Sequence, residues 1–210
     1  MKIIKQLEEK IYQGSQITKA EALELIPVPL EQLCSAANRI RIHFCGHIFD
    51  LCTIINGKSG RCPENCKYCA QSAHYDTKID EYPLLDTDTL VTQAVQNASR
   101  GVLRYSIVTS GRALTDMEVN SLCSAIQAIR KACHIQVCVS LGLLNKAQYQ
   151  KLLSAGASRV HNNLEASESF FPNICTTHTA ADKFAAIQAA KKSGMQVCSG
   201  GILGLGETME

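Results

Sequence analysis

The sequence contains no tryptophan, and aromatic residues make up only 5% of its 210 positions. It has no run of about 20 apolar residues, which a membrane-spanning helix requires. Its charges nearly balance at a net +2, which gives no electrostatic reason to expect a nucleic-acid partner. The glutamates near the N-terminus and the lack of a long apolar stretch there argue against a secretory signal. The composition therefore predicts a globular, cytoplasmic protein with no membrane or nucleic-acid partner.

What the sequence does have is cysteine, with eleven in all. In a reducing compartment, thiols are metal ligands, nucleophiles or small buried groups. Four of the cysteines lie among apolar or helix-like neighbours and are predicted to serve packing only: Cys34, Cys123, Cys133 and Cys175.

Three others form a motif, RCPENCKYCAQSAHY, in which Cys62, Cys66 and Cys69 follow the spacing Cys-x3-Cys-x2-Cys. No fourth cysteine is nearby, whereas zinc sites and ferredoxin clusters usually have four protein ligands. A four-iron cluster on three cysteines leaves one iron free to bind a small molecule and do chemistry. A zinc site remains the alternative interpretation of the triplet alone.

The pattern of apolar residues predicts helices over residues 1 to about 43, with Thr18 and Glu21 forming a capping box and another helix starting after Pro29. Short apolar runs then alternate with amphipathic stretches, which is typical of parallel strands joined by crossover helices. The predicted strands are 49–55, 103–110, 135–141, 158–164 and 196–203. The predicted helices are 88–100, 116–132, 145–155 and 179–193.

This alternation predicts an α/β fold, a (β/α)8 TIM-type barrel that is truncated after about the fifth strand. The predicted domains are an N-terminal helical segment, 1–43, and a barrel domain, 44–210, incomplete at its C-terminus. Cys52, Cys138 and Cys198 fall on odd-numbered strands, and alternate strands of a barrel fill the same interior layer. We therefore expect these three thiols to converge.

The triplet, with Tyr68 before its last cysteine and its position after a first barrel strand, resembles the radical S-adenosylmethionine (radical SAM) superfamily. The resemblance implies that Cys62, Cys66 and Cys69 hold a 4Fe–4S cluster whose open iron binds S-adenosylmethionine. Reductive cleavage of that cofactor gives a 5′-deoxyadenosyl radical. Tyr68 is predicted to shield the cluster from water.

Four blocks of sequence are more specific, since NGKSGRCPENCKYCAQSAHY, HNNLEAS, NICTTHT and VCSGGILGLGET together resemble the biotin synthase family. The resemblance covers about residues 45–210 and implies radical insertion of sulfur into dethiobiotin, the last step of biotin biosynthesis. It also implies a homodimer and a reducing electron donor such as flavodoxin or ferredoxin. A maturase or lyase of a related radical family is the alternative.

Carried over by position, the resemblance assigns cofactor and substrate contacts to Asn163 and Glu165. It assigns the lining of the S-adenosylmethionine site to four glycines, Gly200, Gly201, Gly204 and Gly206. Glycine allows a close approach of backbone to ligand.

The chain departs from the family at the auxiliary cluster, a 2Fe–2S centre held by three strand cysteines and a later arginine. Cys138 and Cys198 match two of these cysteines, but Ser106 occupies the third position, and a hydroxyl is a poor ligand for such iron. The arginine would lie beyond residue 210. We hypothesise that Cys52 replaces the missing ligand, in a centre that is 2Fe–2S or of an altered type. Cys45 is a weaker candidate for this ligand, because it lies seven residues earlier and so has the opposite parity on a strand.

Four polar residues near these motifs have less specific predictions. His161 contacts substrate or packs at a strand end, and Arg112 is an anion contact or a surface residue. His74 and His178 are predicted to form hydrogen bonds rather than to bind metal.

Overall fold

The computed structural model describes residues 2–208, which form two compact units, one of residues 2–49 with residue 208 and the other of Asp50–Glu207. The first unit holds three helices: α1 (Lys2–Tyr12), α2 (Lys19–Leu23) and α3 (Leu30–Cys45). The predicted capping box is confirmed, because Thr18 Oγ1 accepts from the Glu21 amide while the Glu21 carboxylate accepts from the Thr18 amide. Helix α3 ends at Cys45, so this cysteine lies on a helix and the strand parity used to rank it below Cys52 does not apply.

The second unit alternates strands and helices in the predicted order. Its strands are β1 (Cys52–Lys58), β2 (Arg104–Thr109), β3 (Gln136–Ser140), β4 (Ala157–His161) and β5 (Gln196–Cys198). Its helices are α4 (Thr87–Ser99), α5 (Asp116–Ala132), α6 (Lys146–Ala155) and α7 (Ala180–Lys192), with a 3-10 turn at Phe171–Asn173.

All five strands are parallel and lie in chain order, β1-β2-β3-β4-β5. A sheet of neighbouring parallel strands with a helix in each crossover is the arrangement of successive units of a (β/α)8 barrel. The predicted fold class is confirmed. No helix in the described range is both long and apolar enough to cross a membrane.

The first strand differs from its prediction, because it starts at Cys52 and extends to Lys58 through residues that look like a turn. Asn56 and Lys58 continue the ladder with β2, opposite Val108 and Thr109. The missing Cβ of Gly57 lets Ile107 pack closely, since a Cβ there would lie 2.9 Å from a methyl of Ile107. Pairing with the neighbouring strand therefore outweighs the low strand propensity of this segment.

The core lies between the sheet and its helices. Tyr105, Ile107, Val137 and Val139 point to the helices and are fully buried. Residues of the opposite parity form the inner face of the sheet, where Ile54 is 71% exposed. The apolar core on the helix side fixes the register of the strands, because a slip of one residue would exchange the two faces.

The crossover helices begin at side-chain caps, with capping boxes at Thr115, Asn145 and Thr179 and an aspartate cap at Asp86. Each cap satisfies backbone amides that lack a partner in the first turn. Fixed helix starts also fix the loops before them, and those loops stand at the carboxyl ends of the strands. That edge of the sheet carries the candidate site.

Candidate active site

The cysteine triplet lies in the loop between β1 and α4, which is held in shape by hydrogen bonds of its own. The Cys62 amide donates to Gln71 O (3.0 Å), and Cys62 O accepts from the Ala73 amide (2.9 Å). The Cys69 amide donates to Cys66 O (3.0 Å), which closes a tight turn between the last two cysteines. The three thiols are therefore positioned by a folded loop rather than by a flexible one.

Two residues between the first two cysteines attach this loop to the loop that precedes α7. The Asn65 side chain donates to Thr176 Oγ1 (2.7 Å) and accepts from the Thr176 amide (2.9 Å). The buried Glu64 carboxylate accepts from the Thr177 hydroxyl (2.7 Å) and contacts His178 Nδ1 closely. Sequence positions more than 100 residues apart are thereby joined at one edge of the sheet.

Arg112, from the loop after β2, completes the brace. Its guanidinium donates to Thr177 O (2.8 Å) and lies 3.4 Å from the Glu64 carboxylate. Burial opposes ionisation of Glu64, but the hydrogen bonds from Thr177 and His178 outweigh it and lower its pKa. His178 is thus a hydrogen-bonding residue, as predicted, and so is His74, whose Nε2 lies 3.0 Å from Pro63 O.

A cavity of about 360 Å³ opens at this edge, which is within the range of small-molecule sites. It brings together the triplet, Tyr68, Asn163 and Glu165. Other polar residues complete its wall: Glu64, Gln71, Ser110, Arg112, His161, Asn162, His178 and Lys183.

Several buried polar atoms of this cavity have no partner within the protein. They are Thr109 Oγ1, Ser110 Oγ, Asn162 Nδ2 and Glu165 Oε2. Buried polar groups are normally hydrogen-bonded, and each unpaired one costs about 1–3 kcal/mol. Two hydroxyl groups, one amide donor and one carboxyl oxygen at a cavity fit a polar ligand that has hydroxyl, amino and carboxylate groups. S-adenosylmethionine is such a ligand, so the residues present fit it.

Glu165 and Lys183 place a carboxyl group and an ammonium group in the wall of the cavity. Burial raises the pKa of Glu165, although Lys183 and Asn163 oppose that rise. Lys183 Nζ donates to Asn163 O (3.0 Å) and so faces the same space. The wall therefore offers both a carboxyl group and an ammonium group to a ligand that carries both signs of charge.

The thiols fit an iron–sulfur cluster in burial and in spacing. Cys62 and Cys66 are each 8% exposed, and Tyr68 and Cys69 pack against the apolar cluster around Phe171. Burial raises the pKa of the Cys66 thiol to about 12, with Cys175 adding to the rise. Such a thiol stays protonated until a metal replaces the proton.

The four predicted glycines are exposed and are not among the residues that line this cavity, and their assignment to the S-adenosylmethionine site stays a prediction. Backbone hydrogen bonds attach the segment 200–206 to Glu165. The Glu165 amide donates to Gly200 O (3.3 Å), and Glu165 O accepts from the Ile202 amide (2.8 Å). A Cβ on Gly201 would lie 3.0 Å from Glu165 O, so the two backbones approach too closely for a side chain. Gly204 and Gly206 have positive φ angles of 92° and 110°. In the described structure, Gly200 and Gly201 contact the backbone of Glu165.

A second group of thiols lies on the inner face of the sheet. The register pairs Ser106 with Cys138 and Cys52 with Arg104, and it pairs His161 with Cys198. All of these share one parity, so they share the inner face.

Proximity within this group shows in the Cys138 thiol. Its pKa is raised by burial and by the nearby Cys52 and Cys198, while Ser106 and Arg159 lower it in part. Cys138 is buried, whereas Cys52 and Cys198 are exposed. The structure thus places the three thiols on one surface, with Ser106 opposite Cys138 on the neighbouring strand.

The residues that the sequence prediction missed include Glu64 and Lys183, which line the cavity, and Cys175, which lies against Cys66 beside it. Cys175 was predicted to pack only, but its Sγ lies 3.6 Å from Cys66 Sγ and 3.3 Å from His178 Nδ1. Glu64 had a usable signal, since it is a carboxylate inside the triplet motif. Lys183 had none, because a lysine in the first turns of an amphipathic helix usually faces solvent.

Comparison with known proteins agrees with this geometry. Residues 58–210 match the model of the radical SAM superfamily, and the chain belongs to that superfamily. Membership implies a 4Fe–4S cluster and S-adenosylmethionine as its cofactors.

The more specific likeness is to biotin synthases. The chain is 56% identical to the biotin synthase of Brachyspira hyodysenteriae (strain ATCC 49526 / WA1) over 98% of its own length and 62% of the relative's. It is 54% identical to the biotin synthase of Akkermansia muciniphila over its whole length and 65% of the relative's. The chain thus spans somewhat less than two thirds of the curated relatives it matches.

Solved structures show the same fold at low identity. A methylornithine synthase superimposes with a TM-score of 0.82 at 20% identity, covering 96% of this chain and 60% of that one. The FeFe-hydrogenase maturase HydG from Carboxydothermus hydrogenoformans gives 0.79 at 19% identity, covering 97% of this chain and 49% of that one.

Proposed function

We propose that the protein is a cytoplasmic biotin synthase, which inserts sulfur into dethiobiotin by radical chemistry. The observation that carries the proposal is the identity above 50% to proteins of that name along essentially the whole chain. The cavity supports it, because the thiol triplet and the polar residues predicted for cofactor and substrate meet there. In this proposal the protein works as a homodimer and takes electrons from a donor such as flavodoxin or ferredoxin.

Each group in the cavity then has a role. Cys62, Cys66 and Cys69 hold the 4Fe–4S cluster, and Tyr68 covers it on the apolar side. Asn163 and Glu165 form hydrogen bonds with hydroxyl groups of the cofactor, and Lys183 neutralises a carboxylate of the bound ligand. The bound cluster and cofactor supply a strongly oxidising carbon radical, which suits C–H bonds that offer no acidic proton.

The chain's own residues hold the cysteine loop in place and exclude water from one side of it. The brace from Glu64 to Thr177 and Arg112 joins the cysteine loop to the loops after β2 and before α7. Phe171 and Ile174, both buried, keep water from one side of the triplet. Exclusion of water protects a radical from side reactions.

The sulfur source is proposed to be an auxiliary cluster on the inner face, bound by Cys52, Cys138 and Cys198. Ser106 lies beside Cys138 and is buried, so the chain resembles a variant in which serine replaces one cluster cysteine. The support for Cys52 is its inner-face parity and its influence on Cys138. Substituting Cys52 with alanine should lower auxiliary iron and sulfide after anaerobic reconstitution, and unchanged auxiliary iron would contradict its role as a ligand.

The function is tested by incubating the reconstituted protein, without oxygen, with reductant, S-adenosylmethionine and dethiobiotin. We expect 5′-deoxyadenosine and biotin, both measured by mass spectrometry. Cys62→Ala is the control and should yield neither product. Formation of 5′-deoxyadenosine without biotin would favour a maturase or lyase with another substrate, and a colourless protein containing zinc and no iron would indicate a structural zinc module.

A further inference from the structure

A buried three-ligand group lies beside the cavity and is not explained by the proposed cluster. Within residues 2–208, Cys66, Cys175 and His178 each offer one ligand atom, and these atoms all lie within 4.8 Å of one another. All three residues are buried. Two thiols and an imidazole are a ligand set typical of Zn²⁺ and of other thiophilic cations.

The distances fit a single ion. In a tetrahedral site with metal–sulfur bonds of about 2.3 Å and metal–nitrogen bonds of about 2.0–2.1 Å, two sulfurs are about 3.8 Å apart and sulfur and nitrogen about 3.6 Å. The sulfurs of Cys66 and Cys175 are 3.6 Å apart, and Cys175 Sγ lies 4.0 Å from His178 Nε2. The third edge, from Cys66 Sγ to a ring nitrogen of His178, is no longer than 4.8 Å, so small rotations of these side chains would bring the three ligand atoms around one ion.

The residue behind the histidine also fits. Glu64 contacts His178 at Nδ1, which leaves Nε2 as the nitrogen available for a metal. A histidine that binds a metal commonly donates its other ring nitrogen to a carboxylate, which fixes its tautomer and orientation. Glu64 is itself held by Thr177 and Arg112, so the imidazole is oriented in advance.

We propose that the chain, when it lacks its cluster, binds one thiophilic divalent cation such as Zn²⁺ through Cys66, Cys175 and His178. Because Cys66 is also a proposed cluster ligand, this ion and the 4Fe–4S cluster exclude each other. The competition rests on the proposed function, whereas the ion site itself rests only on these three residues. The site gives zinc a specific way to block cluster assembly.

The test uses Co²⁺ as the probe on the cluster-free chain, prepared without oxygen and treated with a chelator. Thiolate ligation of Co²⁺ gives a charge-transfer band, and tetrahedral geometry gives strong visible bands. We expect one equivalent of Co²⁺ bound by the wild type and by Cys62→Ala, with Zn²⁺ displacing it. Cys175→Ala should weaken binding on the order of 100-fold or more, since one of three protein ligands is lost.

The matched variants separate this site from the cysteine triplet. Loss of the cobalt bands in Cys62→Ala, with or without their loss in Cys175→Ala, would overturn the proposal, because the triplet would then bind the ion. Bands unchanged in both variants, or absent from the wild type, would overturn it too. His178→Gln is a second test of the same site and is also expected to weaken cobalt binding. It decides the question if Cys175→Ala proves less stable than the wild type in a thermal melt.

Cluster formation gives a second, separate readout. Zinc added before iron and sulfide should block the 4Fe–4S signal of the wild type, while Cys175→Ala should form the cluster whether or not zinc is present. Equal inhibition of both proteins by zinc would contradict the proposed competition. Failure of the wild type to form any cluster without zinc would instead contradict the proposed function and leave the cobalt result to decide the ion site.

Discussion

The two groups of cysteines in this protein are built in opposite ways. The triplet lies in a loop whose shape is fixed by its own backbone bonds and by the Glu64–Thr177–Arg112 brace. The inner-face thiols are placed by strand register, with Cys52 and Cys198 exposed. A folded loop determines where its ligands point, whereas register determines only which face they occupy.

This difference predicts different behaviour. A braced loop should keep the triplet ready for its cluster, so that loss of any one thiol removes the whole centre. The proposed inner-face centre depends on side chains carried by separate strands. The side-chain hydrogen bonds there join Arg104 to Asp50 and Gln136, and Arg159 to Gln196, and among the described residues they do not connect the three thiols. Its loss should leave the loop and its cluster unaffected.

The largest expected effect is that substitutions in the two groups of cysteines remove different clusters. Cys69→Ala should abolish the 4Fe–4S signal and 5′-deoxyadenosine formation, because two thiolates cannot retain the cluster. Cys198→Ala should leave both intact and lower only the auxiliary iron. Electron paramagnetic resonance of the reduced proteins, with iron and sulfide analysis, measures both centres.

Cys34, which is exposed on α3, provides the control, and Cys34→Ala should change neither signal. If Cys198→Ala also removed the 4Fe–4S signal, the two centres would not be independent and the comparison would fail.

A smaller effect is expected from weakening the brace. Glu64→Gln keeps the size of the side chain but removes the charge that accepts from Thr177 and pairs with Arg112. Hydrogen bonds to charged groups contribute about 1.5–3 kcal/mol each, so we expect a loss of unfolding free energy of about that size at pH 7. Urea denaturation measures it. Glu81→Gln, which removes an exposed pair with Arg61, should cost less than about 1 kcal/mol.

The pH dependence of that loss follows from the lowered pKa of Glu64. A carboxyl group whose pKa is lower in the folded state stabilises the protein fully above its unfolded pKa, near 4.5, and this contribution is lost as the pH falls through the folded pKa. The gap between wild type and Glu64→Gln should therefore be constant above about pH 4.5 and close below it. A gap that widened on acidification would contradict the assignment.

The sequence predicted the fold well because the fold depends on periodic patterns. Helices α4 to α7 lie within about a residue or two of their predictions, since capping residues and apolar spacing mark them locally. The β1 strand was misplaced at both ends, because Asn56, Gly57 and Lys58 have low strand propensity and are held by pairing with β2. Such pairing between strands is not visible in a local pattern.

The site was predictable where a motif carried it and not where tertiary contacts did. The triplet, Asn163 and Glu165 were read from sequence blocks, and the structure brings them to one cavity. The contact of Cys175 with Cys66 joins positions 109 residues apart. The glycine segment was expected to line the S-adenosylmethionine site, and its close backbone contact with Glu165 accounts for Gly201.

The smallest effect expected concerns that backbone contact. Gly201→Ala would put a Cβ 3.0 Å from Glu165 O, in a segment where Glu165 already has a φ of 69°. We expect a loss of about 1 kcal/mol from this overpacking, and weaker binding of S-adenosylmethionine because Glu165 is displaced. Gly200→Ala is the matched control, since its Cβ would meet only Asn163 Oδ1 at an ordinary 3.5 Å. Calorimetric titration of the reconstituted proteins with the cofactor compares the two. Equal affinities of the two variants for S-adenosylmethionine would show that this segment does not set the position of Glu165. The cysteine loop and the loop before α7 would then be the only parts of the site whose positions are fixed by the contacts described above.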